Sequence, residues 1–379
     1  MRFTFDIDYS LEQAACNRQR MEARSRYAIT DRVPVGFCVV PRFFTPHFDM
    51  PYCEFFRDVE THYYWQLQFA KFRIEHIPED MFCTGPSLWV YPFFDNVLDS
   101  DALGAETVWP ENETLQSCPT IHSVDAMERF DIPSPTAGLW GRLLDWCIRM
   151  KELAAETRVT LGGAPIEVVV GAPNIGGLSP HMLAVDLVGV DFYWWQVEYP
   201  DACHRFLAKI TAALIQAQQY FEQVWPRPRG GIWLAEDTAQ IMSLASFREF
   251  CVPYDRRLYH ALAAPGGDFG IHMCGDSTHL HPALVEDLPV TSFDLFGYLV
   301  PPTVAARTLG GKMRLWGNIN PMLMLNGTKA AVITAARECL EALAPCGGLL
   351  LGDGANVCPG TPLANLAALT EAAEEYGSG

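Results

Sequence analysis

Short apolar runs alternate with longer helical stretches along most of this 379-residue chain. Candidate strands cover residues 33–40, 87–91, 166–170, 231–235, 269–274, 291–295, 313–317 and 348–351. Helical patterns separate them, as in residues 200–222, 244–264, 328–344 and 362–376. Such alternation is typical of parallel β–α units. Eight units predict an α/β fold of the (β/α)8 TIM-barrel type, which needs about 250 residues.

Two regions fall outside the predicted barrel. The first 30 residues are rich in Arg and Glu and predict an N-terminal helical extension. Residues 92–135 carry few helical or strand signals, which favours an insertion over the barrel mouth. Because no Gly/Ser-rich linker and no repeat of fixed period divides the chain, we expect one domain over residues 1–379.

Composition narrows the class of partner. A net charge of −18 disfavours nucleic acids and anionic membranes, which are bound through cationic side chains. The N-terminus has carboxylates where a signal peptide needs an apolar run, and no stretch reaches the roughly 18 apolar residues of a spanning helix. We therefore expect a cytoplasmic protein with reduced cysteines, for which a homodimer would be ordinary.

The segment His272-Met273-Cys274-Gly275 is the strongest chemical signal. Side chains alternate faces along an extended strand, so His272 and Cys274 point the same way. With Cys358 they would supply three tetrahedral zinc ligands and leave the fourth position open, as in catalytic zinc sites. The spacing alone leaves another interpretation open, in which the cysteines are buried thiols and His272 is a core histidine.

Several further polar residues follow the predicted strands. They are Glu236 and Asp237, Asp276, Asn318, and the segment from Asp353 to Cys358. The carboxyl-terminal face of a barrel gathers catalytic residues. Gly, Asn and Asp are also the residues that ordinary turns require, so each position has a structural explanation too.

Taken together, these segments resemble the uroporphyrinogen decarboxylase-like superfamily, and most closely its zinc- and cobalamin-dependent methyltransferase branch. The resemblance rests on residues 31–35, 236–239, 246–250, 253–254, 272–275, 317–319, 358, 360–362 and 365. The decarboxylases carry Met-Arg-Gln-Ala-Gly-Arg after Arg-Val-Pro, where arginines hold the substrate's carboxylates. Here that stretch reads Gly-Phe-Cys-Val-Val-Pro-Arg, which argues against porphyrinogen decarboxylation.

The resemblance implies a zinc site with His272, Cys274 and Cys358 as ligands. Glu236 is then a candidate fourth ligand, and Asp237 a candidate to orient or protonate the leaving group. Both carboxylates also fit a structural role as helix caps or ion-pair partners. Asp276 or Asp353 is expected to hold His272 in its metal-binding tautomer.

The branch implied by the resemblance contains two directions of methyl transfer. We expect a methyl ether, such as a methoxylated aromatic, to donate its methyl group to a corrinoid while zinc polarises the leaving oxygen. The alternative is a zinc-bound thiol such as coenzyme M that accepts the methyl group from methylcobalamin. Other options are a decarboxylase or lyase of a small acid and a catalytically idle binding subunit.

Two further expectations concern the ligands. Asn318, Tyr298 and Trp194 are candidate substrate-binding residues, since an amide can donate hydrogen bonds and aromatic side chains can stack on a ring. Core packing and turn formation explain the same residues. No Asp-x-His-x-x-Gly cobalamin signature occurs in the chain, so the corrinoid is expected on a separate partner protein.

Overall fold

The computed structural model describes residues 2–378. Its strands are β1 (Phe3–Ile7), β2 (Ser87–Val90), β3 (Glu106–Val108), β4 (Gln116–Cys118), β5 (Thr157–Leu161), β6 (Ala164–Val170), β7 (Ile232–Ala235), β8 (Phe269–His272), β9 (Ser292–Asp294), β10 (Arg314–Ile319) and β11 (Leu349–Asp353). Its α-helices are α1 (Leu11–Ser25), α2 (Thr45–Phe48), α3 (Val59–His76), α4 (Leu98–Ala102), α5 (Val124–Glu128), α6 (Gly138–Ala155), α7 (Pro180–Val188), α8 (Asp191–Glu198), α9 (Pro200–Val224), α10 (Leu244–Phe250), α11 (Val252–Leu262), α12 (His281–Glu286), α13 (Pro302–Thr308), α14 (Pro321–Asn326), α15 (Lys329–Leu343) and α16 (Leu363–Tyr376).

Five parallel strands form the central sheet, in the order β11-β10-β9-β8-β7. Isolated parallel bridges extend both edges, from Val35 to Leu351 and from Leu178 to Ala235. The α/β class and the strands predicted within 231–351 are confirmed. The predicted strand 33–40 makes only the bridge at Val35, and the described pairings do not form a ring of eight ladders. Closure into a TIM barrel therefore stays a prediction.

The N-terminal extension differs from the predicted all-helical segment. It begins with β1, which pairs in parallel with β5, and only then forms α1. Phe5 and Ile7 are buried while Asp6 between them is exposed, the two-residue period of a strand. Ser10 starts the helix by accepting a hydrogen bond from the Gln13 amide. A second sheet, β1-β5-β6-β2, results.

The helices on the sheet follow the predicted patterns closely. Helix α9 coincides with the predicted helical segment 200–222. It buries one apolar stripe, formed by Phe206, Ile210, Leu214, Ala217 and Phe221. The segment 92–135 is structured as α4, the antiparallel hairpin β3–β4 and α5. No helix within residues 2–378 has the length and apolar character needed to cross a lipid bilayer.

A buried histidine in α3 makes stability depend on pH. His62 is fully buried; its Nδ1 lies 2.9 Å from the Phe55 carbonyl oxygen, and its Nε2 accepts a hydrogen bond from the Phe93 amide at 3.0 Å. Protonating Nε2 would break the second bond. Burial accordingly lowers the pKa of His62 to about 3.

We expect the free energy of unfolding to fall as the pH drops below about 6.5, because the unfolded chain then binds a proton that folded His62 does not. The slope from His62 is about 1.4 kcal/mol per pH unit. Urea unfolding of wild type and His62→Gln at about pH 7.5 and about pH 5.5 measures it. Equal pH dependence in the two proteins would contradict the assignment.

Candidate metal centre

Three side chains converge where β7 and β8 end. They are Asp237, His272 and Cys274, and one ligand atom of each lies within 4.8 Å of the other two. Ala235 at the end of β7 pairs with His272 at the end of β8, so the residues that follow both strands emerge at one edge of the sheet. The predicted alternation places His272 and Cys274 on the same side. The site thus combines nitrogen, sulfur and oxygen ligands.

His272 is oriented for metal binding. Its Nδ1 lies 2.9 Å from the carbonyl oxygen of Asp294, to which the ring N–H donates. The Nε2 lone pair is then directed toward the other two side chains, 2.8 Å from Cys274 Sγ and 3.5 Å from Asp237 Oδ2. Metal-binding histidines characteristically donate their other ring N–H to a carbonyl or carboxylate.

The prediction that Asp276 or Asp353 orients the His272 ring was wrong. Asp276 Oδ1 accepts a hydrogen bond from the Thr278 amide, and Asp353 Oδ1 accepts one from the Cys38 amide. The actual partner is a main-chain oxygen at the end of β9. Because every residue carries a carbonyl, the sequence contains no signal that would identify it.

Asp237 has two functions in this arrangement. Its Oδ1 accepts a hydrogen bond from the Cys274 amide at 2.6 Å, which fixes the loop after β8, while Oδ2 faces His272. Burial raises the pKa of Asp237, but the adjacent His272 outweighs burial and holds it below its usual value. Burial also lowers the pKa of His272, and the neighbouring Asp237 and Cys274 raise it well above its usual value. The site therefore attracts positive charge.

This ligand set fits a zinc ion. Imidazole nitrogen, thiolate sulfur and carboxylate oxygen are the three ligand types that zinc takes in proteins, and three protein ligands leave a position for substrate. A cation here would be held by His272 Nε2, Cys274 Sγ and Asp237 Oδ2.

Glu236 faces away from this group. It is fully buried and lies with His181 and Cys251 in a second cluster. Its backbone N–H donates to the His272 carbonyl oxygen and extends the ladder by one residue, whereas Asp237 begins the 3-10 helix Asp237–Ile241. The position beside His272 and Cys274 that was expected for Glu236 is taken by Asp237.

Cys358 belongs to neither of the metal-ligand groups found within residues 2–378. It lies in the loop after β11, half-buried, in the wall of an open cleft of about 700 Å³ that Arg42 and Glu113 also line. The neighbouring Val357 donates its amide to the Cys38 carbonyl, which ties this loop to the segment after Val35. A role for Cys358 as a zinc ligand stays a prediction.

The three candidate substrate residues occupy different settings. Asn318 is buried and its Nδ2 donates to the carbonyls of Gly297 and Val300, so neither amide N–H is free for a substrate. These two hydrogen bonds fix the loop that follows β9. Tyr298 in that loop is 38% exposed.

Trp194 lies on α8 and is 60% exposed, so its indole faces solvent. The adjacent Tyr193 donates its hydroxyl to the Thr238 carbonyl at 2.8 Å and thereby contacts the turn that carries Asp237. Within the aromatic run 192–195, Tyr193 is thus the residue that contacts the site's surroundings. The helical repeat of α8 separates these neighbours onto different faces.

Two glycines let the loops around the site approach each other. A Cβ on Gly297, whose φ is +84°, would lie 2.0 Å from the Gly275 carbonyl oxygen. A Cβ on Gly275 would meet the Gln240 side chain at 1.5 Å. The loop bearing Cys274 is therefore packed against its neighbours through backbone. Trp233 adds a ring 5.7 Å from that of His272.

We expect Asp237→Asn to weaken zinc binding by at least about 10-fold, because the amide retains an acceptor for the Cys274 N–H but loses the charge. Asp237→Ala removes both and should weaken binding further. Zinc affinity can be measured by competition with a chromogenic chelator. Asp276→Asn, an exposed carboxylate outside both clusters, is the matched control. An Asp237→Asn variant that binds zinc like wild type would remove Asp237 from the ligand set.

Comparison with known proteins identifies the family of this chain. Residues 90–376 match the family model described as uroporphyrinogen decarboxylase (URO-D). A methylated-thiol–coenzyme M methyltransferase of Methanosarcina mazei is 28% identical over 202 residues, which cover 52% of this chain and 51% of the relative. The match thus spans about half the length of that relative. The methylcobamide:CoM methyltransferase MtaA of Methanosarcina barkeri is 29% identical over 260 residues, covering 64% of this chain and 72% of the relative.

A solved structure supports the fold. A methyltransferase from Methanosarcina mazei superposes with a TM-score of 0.68 at 19% identity, over 95% of this chain and 98% of that one.

A uroporphyrinogen decarboxylase from Anaeromyxobacter dehalogenans is 26% identical over 189 residues, covering 47% of this chain and 49% of the relative. The chain therefore belongs to the uroporphyrinogen decarboxylase family, and its similarities agree with the methyltransferase branch that its motifs resemble.

Proposed function

We propose that this protein is a zinc-dependent methyltransferase that moves a methyl group between a small substrate and the corrinoid of a separate protein. The observation that carries the proposal is the group of Asp237, His272 and Cys274, with His272 Nε2 directed at the other two ligand atoms. The names of the relatives, which include methylcobamide:CoM methyltransferase, support the reaction class.

Zinc, when bound, would act as a Lewis acid on the substrate heteroatom. The chain's own residues provide the geometry for this. The Asp294 carbonyl fixes the ring of His272, and Asp237 fixes the backbone of Cys274. In this proposal Asp237 Oδ2 is a metal ligand, so it does not carry the proton for the leaving oxygen that was expected of it from the sequence. Cys358 is retained as a further ligand in this proposal.

A methyl ether, such as a methoxylated aromatic, is the donor that we favour. Among the described residues that line the cleft beside Cys358, Arg42 is the one cation, and it is ion-paired with Glu113. Asp49 adds a second acidic group to the same cleft. Because Cys358 is a ligand in this proposal, the cleft would adjoin the substrate, and its net acidic lining would disfavour a sulfonated thiol and favour a neutral donor.

In this direction the methyl group would pass from the ether oxygen to the cob(I) corrinoid of the partner protein as the carbon–oxygen bond breaks, and the released phenolate would take a proton from solvent. The products are methylcobalamin and a phenol. The alternative direction, from methylcobalamin to a thiol, is favoured by one observation, namely that both methyltransferase relatives have coenzyme M in their names.

Two half-reactions on the zinc-loaded protein distinguish the directions. Cob(I)alamin with a methoxylated aromatic should give methylcobalamin and the phenol, both of which absorb distinctively. Methylcobalamin with coenzyme M tests the reverse. Transfer to the thiol without demethylation of any ether would overturn the preferred direction, and the absence of transfer in both assays, with the corrinoid partner supplied, would overturn the methyltransferase proposal.

A further inference from the structure

A second cluster of potential metal ligands lies behind the first. His181 from α7, Glu236 from the end of β7 and Cys251 from the junction of α10 and α11 each place a ligand atom within 4.8 Å of the other two. All three residues are buried. The cluster thus joins three separate elements at a point that solvent does not reach.

The carboxylates in this cluster lack partners. Neither oxygen of Glu236 makes a hydrogen bond, and the same holds for both oxygens of the neighbouring Asp255. Glu236 is 0% exposed and Asp255 is 1% exposed. An ionised carboxylate without a partner is very costly in such surroundings, so these groups need either protons or a cation.

His181 has the surroundings of a metal ligand. Its Nδ1 lies 2.8 Å from Thr238 Oγ1 and 3.8 Å from Glu236 Oε1, on the side of the cluster. Its Nε2 lies 2.8 Å from the side-chain amide of Gln196, whose nitrogen and oxygen positions are interchangeable. With the amide oxygen facing the ring, Nε2–H donates to Gln196 and the Nδ1 lone pair accepts from the Thr238 hydroxyl, which a bound cation would displace.

We propose that His181, Glu236 and Cys251 bind a second divalent cation, of the zinc class. The donor set of imidazole, carboxylate and thiolate is that of protein zinc sites. One thiolate and one carboxylate carry two negative charges, which a divalent cation neutralises, as a buried site requires. Asp255 then remains protonated beside Glu236. Because the three ligands come from α7, β7 and the α10–α11 junction, the ion fastens these elements together.

This second site is independent of the proposed methyl transfer. Its ligands do not include His272, Cys274 or Asp237, and it would stabilise the fold whatever reaction the first site performs. The adjacent residues Glu236 and Asp237 serve one cluster each, on opposite sides of the chain.

Cobalt(II) binding tests the proposal without an activity assay. We expect metal-free wild type, refolded with cobalt, to hold two equivalents by elemental analysis, with thiolate-to-cobalt absorption from both sites. Cys251→Ser and Cys274→Ser should each hold one equivalent, and the double variant none. Cys203→Ser, a buried thiol outside both clusters, should hold two.

The conservative variants Glu236→Gln and His181→Gln repeat the test where Cys251→Ser folds poorly. Each should lose one equivalent and retain the thiolate absorption that depends on Cys274. Two outcomes would overturn the second site: metal content unchanged by substitution at all three ligands, or a wild type whose entire metal content disappears with Cys274→Ser. A protein that binds two equivalents but transfers no methyl group would leave the second site standing and overturn only the proposed function.

Discussion

Replacing Cys274 by alanine is expected to remove one equivalent of zinc and to slow methyl transfer by at least about 1000-fold. The thiolate is one of the three ligands gathered at the ends of β7 and β8, and its sulfur lies 2.8 Å from His272 Nε2. Lewis-acid activation contributes several kcal/mol to a transition state, and about 4 kcal/mol corresponds to about 1000-fold in rate. Elemental analysis and single-turnover kinetics measure the two effects.

Two further cysteine variants make this result interpretable. Cys53→Ala changes an exposed thiol and should leave zinc content and rate at wild-type levels. Cys358→Ala tests the third ligand expected from the sequence, since the structure places Cys358 outside the clusters. Zinc loss in Cys358→Ala would show that its loop moves toward the metal. Full zinc content in Cys274→Ala would contradict the assigned centre.

Replacing Gly297 by alanine is expected to disrupt the metal centre without touching a ligand. The new Cβ would lie 2.0 Å from the Gly275 carbonyl oxygen and 3.2 Å from that of Cys274, both of which are backbone atoms. The loop carrying Cys274 must then shift. We expect Gly297→Ala to lose about 1–3 kcal/mol of stability through overpacking, beyond the cost of a positive φ, and to bind zinc more weakly.

Gly311 provides the matched control for this variant. Its φ is +69°, against +84° for Gly297, and a Cβ there would meet nothing within 4 Å. Gly311→Ala should therefore lose only the stability that a side chain at positive φ costs, without a steric contact. Urea unfolding and zinc competition on both variants separate the two effects. Equal destabilisation and equal zinc affinity would show that the contact between the two loops does not hold Cys274 in place.

Much of the fold was predictable because its elements are long and strongly periodic. Helix α9 buries a regular apolar stripe, and β7 to β11 are apolar runs bounded by turn residues. Strand β1 was missed because only five residues alternate there and the charged segment that follows is helical. The segment around Val35 was predicted as a full strand but pairs at one bridge, since pairing depends on neighbours that are distant in sequence.

The site was predictable only where local geometry decides it. Two residues of extended chain bring His272 and Cys274 together, which the motif alone indicated. The strand was predicted to end at Ala235, where β7 does end, but the turn that starts at Glu236 decides which of the two carboxylates faces the metal ligands, and the strand pattern contains no signal for that turn. The Asp294 carbonyl that orients His272 and the backbone carbonyls that engage Asn318 are tertiary contacts without a sequence signal.

Dependence of methyl transfer on zinc distinguishes a zinc-dependent methyltransferase from a protein whose zinc is structural. Metal-free protein, the same protein reloaded with one equivalent of zinc per site, and Cys274→Ala would each be mixed with cob(I)alamin and a methoxylated aromatic. Formation of methylcobalamin would be followed in a single turnover. We expect rapid transfer only in the reloaded wild type. Transfer at equal rates by the metal-free protein or by Cys274→Ala would contradict it.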